Sequence, residues 1–214
     1  MGKPSPTPDT IVTFSHPDTW DASFGRSLLA MVMRDKGRRI LDVVPSESSS
    51  FLVGGRNAQI ELALSTSAQW ILMLDADMTF SPDLIERLRR RATPTRIVGG
   101  LCFTATELPV MFGFDGQRIE SWTPGALVPV LATGGACLMI HRSVFERLPY
   151  PWFYMTREHY QMDQDQQFLR DCNRAGVEVA VDTSTVLGHV KKRAIDGSGY
   201  VMPAQSVQSD AEVH

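Results

Sequence analysis

The strongest constraint on the fold is an alternation of two periodicities along the first hundred residues. Short β-branched or aliphatic runs (TIVTFS, ILDVVP, WILML and RIVGGL) alternate with stretches of helical spacing. A buried strand followed by a helix, repeated, sets the strands parallel with helices on both faces of the sheet. The first helix is expected over DASFGRSLLAMVMRDKGRR. Its Phe24, Leu28, Leu29, Met31 and Met33 fall near helical spacing, and its basic end suits a helix C-terminus. VGGRNAQIELALSTSA reads as the second helix and PDLIERLRRRA as the third. Ser81-Pro82-Asp83 opens the third with a capping hydroxyl, a Pro in the first turn and an early acid.

Residues 103–130 break the pattern with Gly, Pro and short apolar runs, and predict a small irregular β region. ACLMIH follows as a strand, SVFERL as a short helix and PYPWFYMTREHYQ as an aromatic loop. DQDQQFLRDCNRAG is a helix closed by Gly176, VEVAVD a strand and TSTVLGHV an extended approach. The fold class is therefore α/β, a single Rossmann-like domain with a mostly parallel central sheet flanked by helices.

With 214 residues, 43% hydrophobic and 21% charged, the chain has the composition of one well-cored domain. That domain is assigned to residues 10–193, between a loose Pro-rich start at 1–9 and a polar tail at 194–214. The formal net charge of -3 disfavours a protein that holds nucleic acid mainly by neutralising phosphates. Three widely spaced Cys do not make a disulfide framework. No segment resembles a signal peptide or spans a bilayer, so a cytoplasmic protein is expected, its oligomeric state open.

Two constellations carry chemistry. Asp75-Ala76-Asp77 follows WILML directly, at the end of a strand whose side chains are buried. Ligands of open parallel sheets bind at the carboxyl ends of strands, and two carboxylates two residues apart suit a hard divalent cation such as Mg or Mn. Acids also end strands for no further purpose, so the pair alone carries little. LDADMTF matches a second pattern as well, the first motif of haloacid-dehalogenase-like phosphohydrolases. There Asp75 would be the nucleophile and Asp77 the general acid. That motif normally lies on a first strand, and here two strand–helix units precede it.

The second constellation starts with Asp163 and Asp165 at a helix start, where carboxylates are favoured by the helix dipole whatever else they do. It ends with His189 after a Gly and before Val190-Lys191-Lys192-Arg193, a pairing that suits a metal ligand beside an anionic substrate. Trp152, Phe153 and Tyr154 either stack on a substrate or cover the core. The cluster Arg87, Arg89, Arg90 and Arg91 reads as a solvated helix face.

The order of these features (Arg56-Asn57 before a helix, Asp75-x-Asp77, GGACLMIHR, QDQQFLRDCNRAG, VDTS and GH) resembles GT-A-fold glycosyltransferases. The resemblance is to small family-2-like enzymes frequent in bacteriophages, and it extends over residues 10 to 193. It implies a nucleotide-diphosphate sugar as donor. Thr13, Phe14, Ser15 and His16 would lie at the base and ribose, and Arg56 and Asn57 would fix the nucleotide and the acidic motif. Asp75 would contact ribose or metal, Asp77 and His189 would hold Mn or Mg, and Gly134-Gly135 would border the donor sugar. Lys191, Lys192 or Arg193 would meet the diphosphate if the tail folds over the donor. Gln164 stands where the family commonly has Glu, which leaves both Asp165 and Asp163 open as the catalytic base. Inversion follows by analogy, with a modified DNA base or a protein as thinkable acceptors. A non-catalytic protein that keeps only the fold is the third reading.

Overall fold

The computed structural model describes residues 8–16, 19–47, 53–155 and 164–191. The expectations for residues 1–7, Asp163, Lys192, Arg193 and 194–214 lie outside these. Three strand–helix units and a following strand appear as read, with the short β4 added: β1 (Thr10–His16), α1 (Ala22–Asp35), β2 (Ile40–Glu47), α2 (Val53–Leu64), β3 (Trp70–Asp75), β4 (Met78–Thr79), α3 (Leu84–Arg91) and β5 (Arg96–Leu101). The irregular region holds β6 (Met111–Phe112), β7 (Leu127–Pro129) and β8 (Ala132–Thr133). β9 (Cys137–His141), α4 (Ser143–Arg147), α5 (Gln164–Arg174), β10 (Glu178–Val186) and β11 (Gly188–His189) complete it.

The central sheet has seven strands in the order β2-β1-β3-β9-β5-β10-β7. β2, β1 and β3 pair in parallel, as do β5 and β10, while β9 and β7 run against their neighbours. The reversal of β9 has a topological cause. The excursion through 102–136 contains no helix to carry the chain back along the sheet. A strand that begins where β5 ended must therefore return antiparallel.

β3 shows why its body is apolar without alternation. Ile71 and Met73 enter one core with α2 and α5, whereas Leu72 and Leu74 enter the other with α1 and α3. All four are fully buried, each contributing about 1.5–3 kcal/mol. β2 lies at the sheet edge, where Pro45 costs no ladder bond.

Helix boundaries follow local chemistry. Asp21 caps α1 by accepting from the Ser23 amide at 2.7 Å. Lys36 and Gly37, with φ of 52° and 69°, end it. Phe24 and Met31 are buried and Leu28 packs beside them, but Leu29 and Met33, expected on the same face, are 60% and 66% exposed. Phe24, Leu28 and Met31 alone keep the spacing of four and three that one helix face allows. α3 starts at Leu84 rather than at a Ser81 cap. Residues 81–83 form a turn, and the Ser81 carbonyl accepts from the Leu84 amide. Arg89 is not a solvated cation: its guanidinium lies 3.9 Å over the Trp70 ring and pairs with Asp9 at 3.0 Å. α5 closes as its glycine predicts, with Gly176 at φ 77°.

Asp35 joins α1 to β2. It is 1% exposed and accepts from the amides of Arg39 and Ile40 at 2.9 and 3.0 Å. Asp35→Ala leaves both donors without that acceptor. It should lower unfolding stability by about 1–3 kcal/mol, read as a reduced urea midpoint at constant slope.

Candidate functional site

The carboxyl ends of β1 and β3 open into a cavity of about 730 Å³. Its walls bring together Ser15, Arg56, Asp75 and Asp77 with Gly134, Gly135, Asp165, His189 and Lys191. These come from stretches up to 176 residues apart in sequence. Three backbone bonds fix the Asp75–Asp77 turn. The Asp75 amide donates to the Ala136 carbonyl, the Asp21 amide to that of Ala76, and the Val190 amide to that of Asp77.

Arg56 lies between the two acidic stretches. It stands in the first turn of α2 with its side chain 1% exposed. Nη2 donates to Asp75 Oδ1 at 2.8 Å and to Asp165 Oδ2 at 3.2 Å, and Nε donates to Asp165 Oδ1 at 3.1 Å. Burial opposes the charge of this guanidinium, but Asp165 and then Asp75 outweigh it and raise its pKa further. Nη1 is buried without a hydrogen-bond partner. Gly135 makes room for this arrangement, because a Cβ there would stand 2.3 Å from Asp165 Oδ2.

His189 reaches Asp77 through a two-residue hook. β11 pairs antiparallel with β4, matching Gly188 to Thr79 and His189 to Met78. A Cβ on Gly188 would stand 2.4 Å from Thr79 Oγ1, so a glycine suits this register. The imidazole Nε2 then lies 3.1 Å from Asp77 Oδ2, and Nδ1 lies 3.0 Å from the Phe103 carbonyl. Both partners are acceptors. Either the ring carries two protons, or Nδ1–H donates to Phe103 while the Nε2 lone pair shares a cation with Asp77. The pair thus fits a divalent ion, with Asp77 and His189 as its protein ligands. Among the described residues no three His, Cys, Asp or Glu side chains converge as a ready cluster, and one Asp75 oxygen is taken by Arg56. Remaining positions would fall to substrate oxygens and water, as suits Mg or Mn. Lys191 Nζ also contacts Asp77 Oδ2, at 3.1 Å.

Some expected residues lie elsewhere. Thr13 and Phe14 are buried outside the cavity lining, with the Phe14 ring edge-on to Trp20 and Phe24. Asn57 holds the aromatic loop: its amide donates to the Phe153 carbonyl and accepts from the Trp152 and Phe153 amides. Phe153 is core, stacked on Phe168 at 4.5 Å. Trp152 and Tyr154 line a second cavity of about 480 Å³.

The reading of the sequence missed Thr19, Trp20, Phe103 and Met155, which also line the main cavity. Trp20 had a signal, being a lone aromatic just past the first strand and 48% exposed. The others had none. Cys102 lines the cavity too, but burial, then Cys137, Asp75 and Asp77, push its thiol well above the ordinary range. Such a shift disfavours a thiolate at this position.

Arg56→Ala would strand two carboxylates, one of them buried, beside each other. It should cost about 3–5 kcal/mol in chemical denaturation. The double variant with Asp165→Ala should cost less than the sum of the two singles, as groups sharing one network do.

No family model matches this chain. No curated protein matches it in sequence. In three dimensions it is similar to A197 from STIV, with a TM-score of 0.60 and 12% identity over 86% of each chain. It is similar to the inositol-1-phosphate CTP transferase from T. maritima at 0.53 and 9% identity, covering 87% of this chain and 90% of that one. TarS 1–349 of S. aureus, solved in complex with UDP-GlcNAc, scores 0.50 at 12% identity, covering 90% of this chain and 62% of that one. At these identities the likeness is one of fold, and that fold is GT-A-like.

Proposed function

We propose that this chain is a metal-dependent glycosyltransferase that moves a sugar from a nucleotide-diphosphate sugar to an acceptor hydroxyl, with inversion. One observation carries the reading. Asp75, Asp77, Asp165, Arg56 and His189 meet in a single cavity of about 730 Å³ at strand carboxyl ends. That volume suits a small organic ligand. TarS, whose fold the chain shares, was solved with such a donor.

Charge supports the metal. Among the described residues, Asp21, Asp75, Asp77 and Asp165 bring four carboxylates to the cavity against the cations Arg56 and Lys191. A diphosphate entering there meets no positive excess, so it requires a cation of its own. Asp77 and His189 would hold Mn or Mg, which when bound supplies Lewis-acid compensation for the leaving diphosphate. The chain's own groups do the rest. Trp20 offers a half-exposed ring to a base or ribose. Lys191, bonded to Asp77 at 3.1 Å, would meet the phosphates of a donor held by that carboxylate's metal.

Asp165 acts as base. As the acceptor oxygen bonds to the anomeric carbon and the sugar–diphosphate bond breaks, the acceptor proton passes to its carboxylate. Arg56 keeps that carboxylate pointed into the cavity. The phosphohydrolase reading, with Asp75 as nucleophile, stands second, because two strand–helix units precede its motif and Lys191 bonds Asp77 rather than Asp75.

Thermal shift against nucleotide diphosphates and their sugars, with and without Mn, tests the reading. A true donor at 100 times its Kd should stabilise the protein by about 2.7 kcal/mol, only with metal. Asp77→Ala should abolish that response. Silence toward every nucleotide, whatever the metal, refutes the proposal. Asp165→Asn should keep donor binding and lower turnover about 100- to 10,000-fold. If Asp163→Asn does this instead, the base is Asp163.

A further inference from the structure

The outer face of α1 has no role in the cavity, yet its composition is unusual. Leu29 and Met33 are 60% and 66% exposed, one helical turn apart. With Arg26 they fall within about 60° of arc at about 100° per residue. Lys36 follows as the C-cap. The stripe therefore reads cation, aliphatic, aliphatic, cation.

Neighbouring charge reinforces it. Residues 22–39 and 83–91 hold nine of the chain's 21 Lys and Arg but only three of its 24 acids. Those three are already engaged: Asp35 is buried under the α1–β2 turn, Glu86 pairs with Arg34 and Arg39, and Asp83 pairs with Arg87. The Glu86 bridges also set the first turn of α3 against the C-terminal end of α1. Among the described residues, Arg26, Lys36, Arg38, Arg90 and Arg91 are exposed and have no carboxylate partner.

We infer that this face docks on an anionic lipid surface. Two bare aliphatic side chains flanked along α1 by the unpaired cations Arg26 and Lys36 match a negatively charged headgroup layer over hydrocarbon. A nucleic acid would use the cations and leave Leu29 and Met33 in water. A second copy of this chain would cover the aliphatics only by setting Arg26 and Lys36 against their own like. The inference holds whatever reaction the cavity performs.

Vesicle flotation of the full chain decides it. The protein should float with phosphatidylglycerol–phosphatidylcholine vesicles, stay down with phosphatidylcholine alone, and be released by salt. Arg26→Glu with Lys36→Glu should weaken partitioning at least about tenfold. Leu29→Gln with Met33→Gln should also weaken it about tenfold, with the urea midpoint unchanged because these side chains are exposed. Equal flotation on both vesicle types, no flotation, or indifference to both double variants overturns the inference. So does tight binding to double-stranded DNA by a protein that ignores anionic vesicles.

Discussion

A single buried guanidinium organises the cavity. Arg56 carries its charge into a site where only 1% of its side chain meets solvent, and such a charge persists only beside opposite charge. It finds two carboxylates, one at the end of β3 and one on α5, 19 and 109 residues away. The planar fork accepts both at once because its donors diverge in fixed directions, which a lysine could not reproduce. Displacing either wall of the cavity would break its bonds to the shared guanidinium. Arg56 therefore sets the distance between the acidic turn and the carboxylate assigned as base. The backbone yields to this demand at Gly135, where any side chain would occupy the place of the Asp165 oxygen.

The far wall is built by a different device. His189 belongs to no helix and to no strand of the main sheet. It arrives on a two-residue ladder that β11 makes with β4, directly beyond the turn it serves. The backbone that presents Asp77 is thus the same backbone that grips the imidazole, since the Val190 amide closes on the Asp77 carbonyl. Register, not side-chain reach, places the ring. The Phe103 carbonyl on its other nitrogen fixes its orientation as well.

Much of this was legible in the residues, and the gaps have physical causes. WILML announced a strand buried on both faces, and the acids after it announced a site, because both signals are local. The direction of β9 was not legible: ACLMIH reads alike in either direction, and only the lack of a crossing helix before it decides. Leu29 and Met33 read as core from apolar content alone, and strict helical phase puts them on the opposite side from Phe24 and Met31. The resemblance makes Arg56 and Asn57 a pair, but neighbours on a helix point about 100° apart, and one lines the cavity while the other clamps the aromatic loop. The bond from Arg56 to Asp165 depends on where α5 lies, which no local pattern encodes. Thr19, Phe103 and Met155 reach the cavity from loops with no motif at all.

Charge is also distributed in a way that the net value conceals. A formal -3 suggests a mildly acidic surface, but the α1 and α3 segments hold a cation excess, so the remainder of the chain is correspondingly acidic. The carboxylates of the cavity lie at the strand carboxyl ends, whereas the C-termini of α1 and α3 lead toward the starts of β2 and β5, at the opposite end of the sheet. Such separation gives the molecule a directional field, which orients it before contact with any charged surface or ligand. Because the helix dipoles place their negative ends among those same cations, the basic end is also where cations cost the fold least. Local helix electrostatics and the long-range field thus favour the same arrangement, while burial and, after it, the nearby Arg39 oppose the charge on Arg89, which Asp9 offsets.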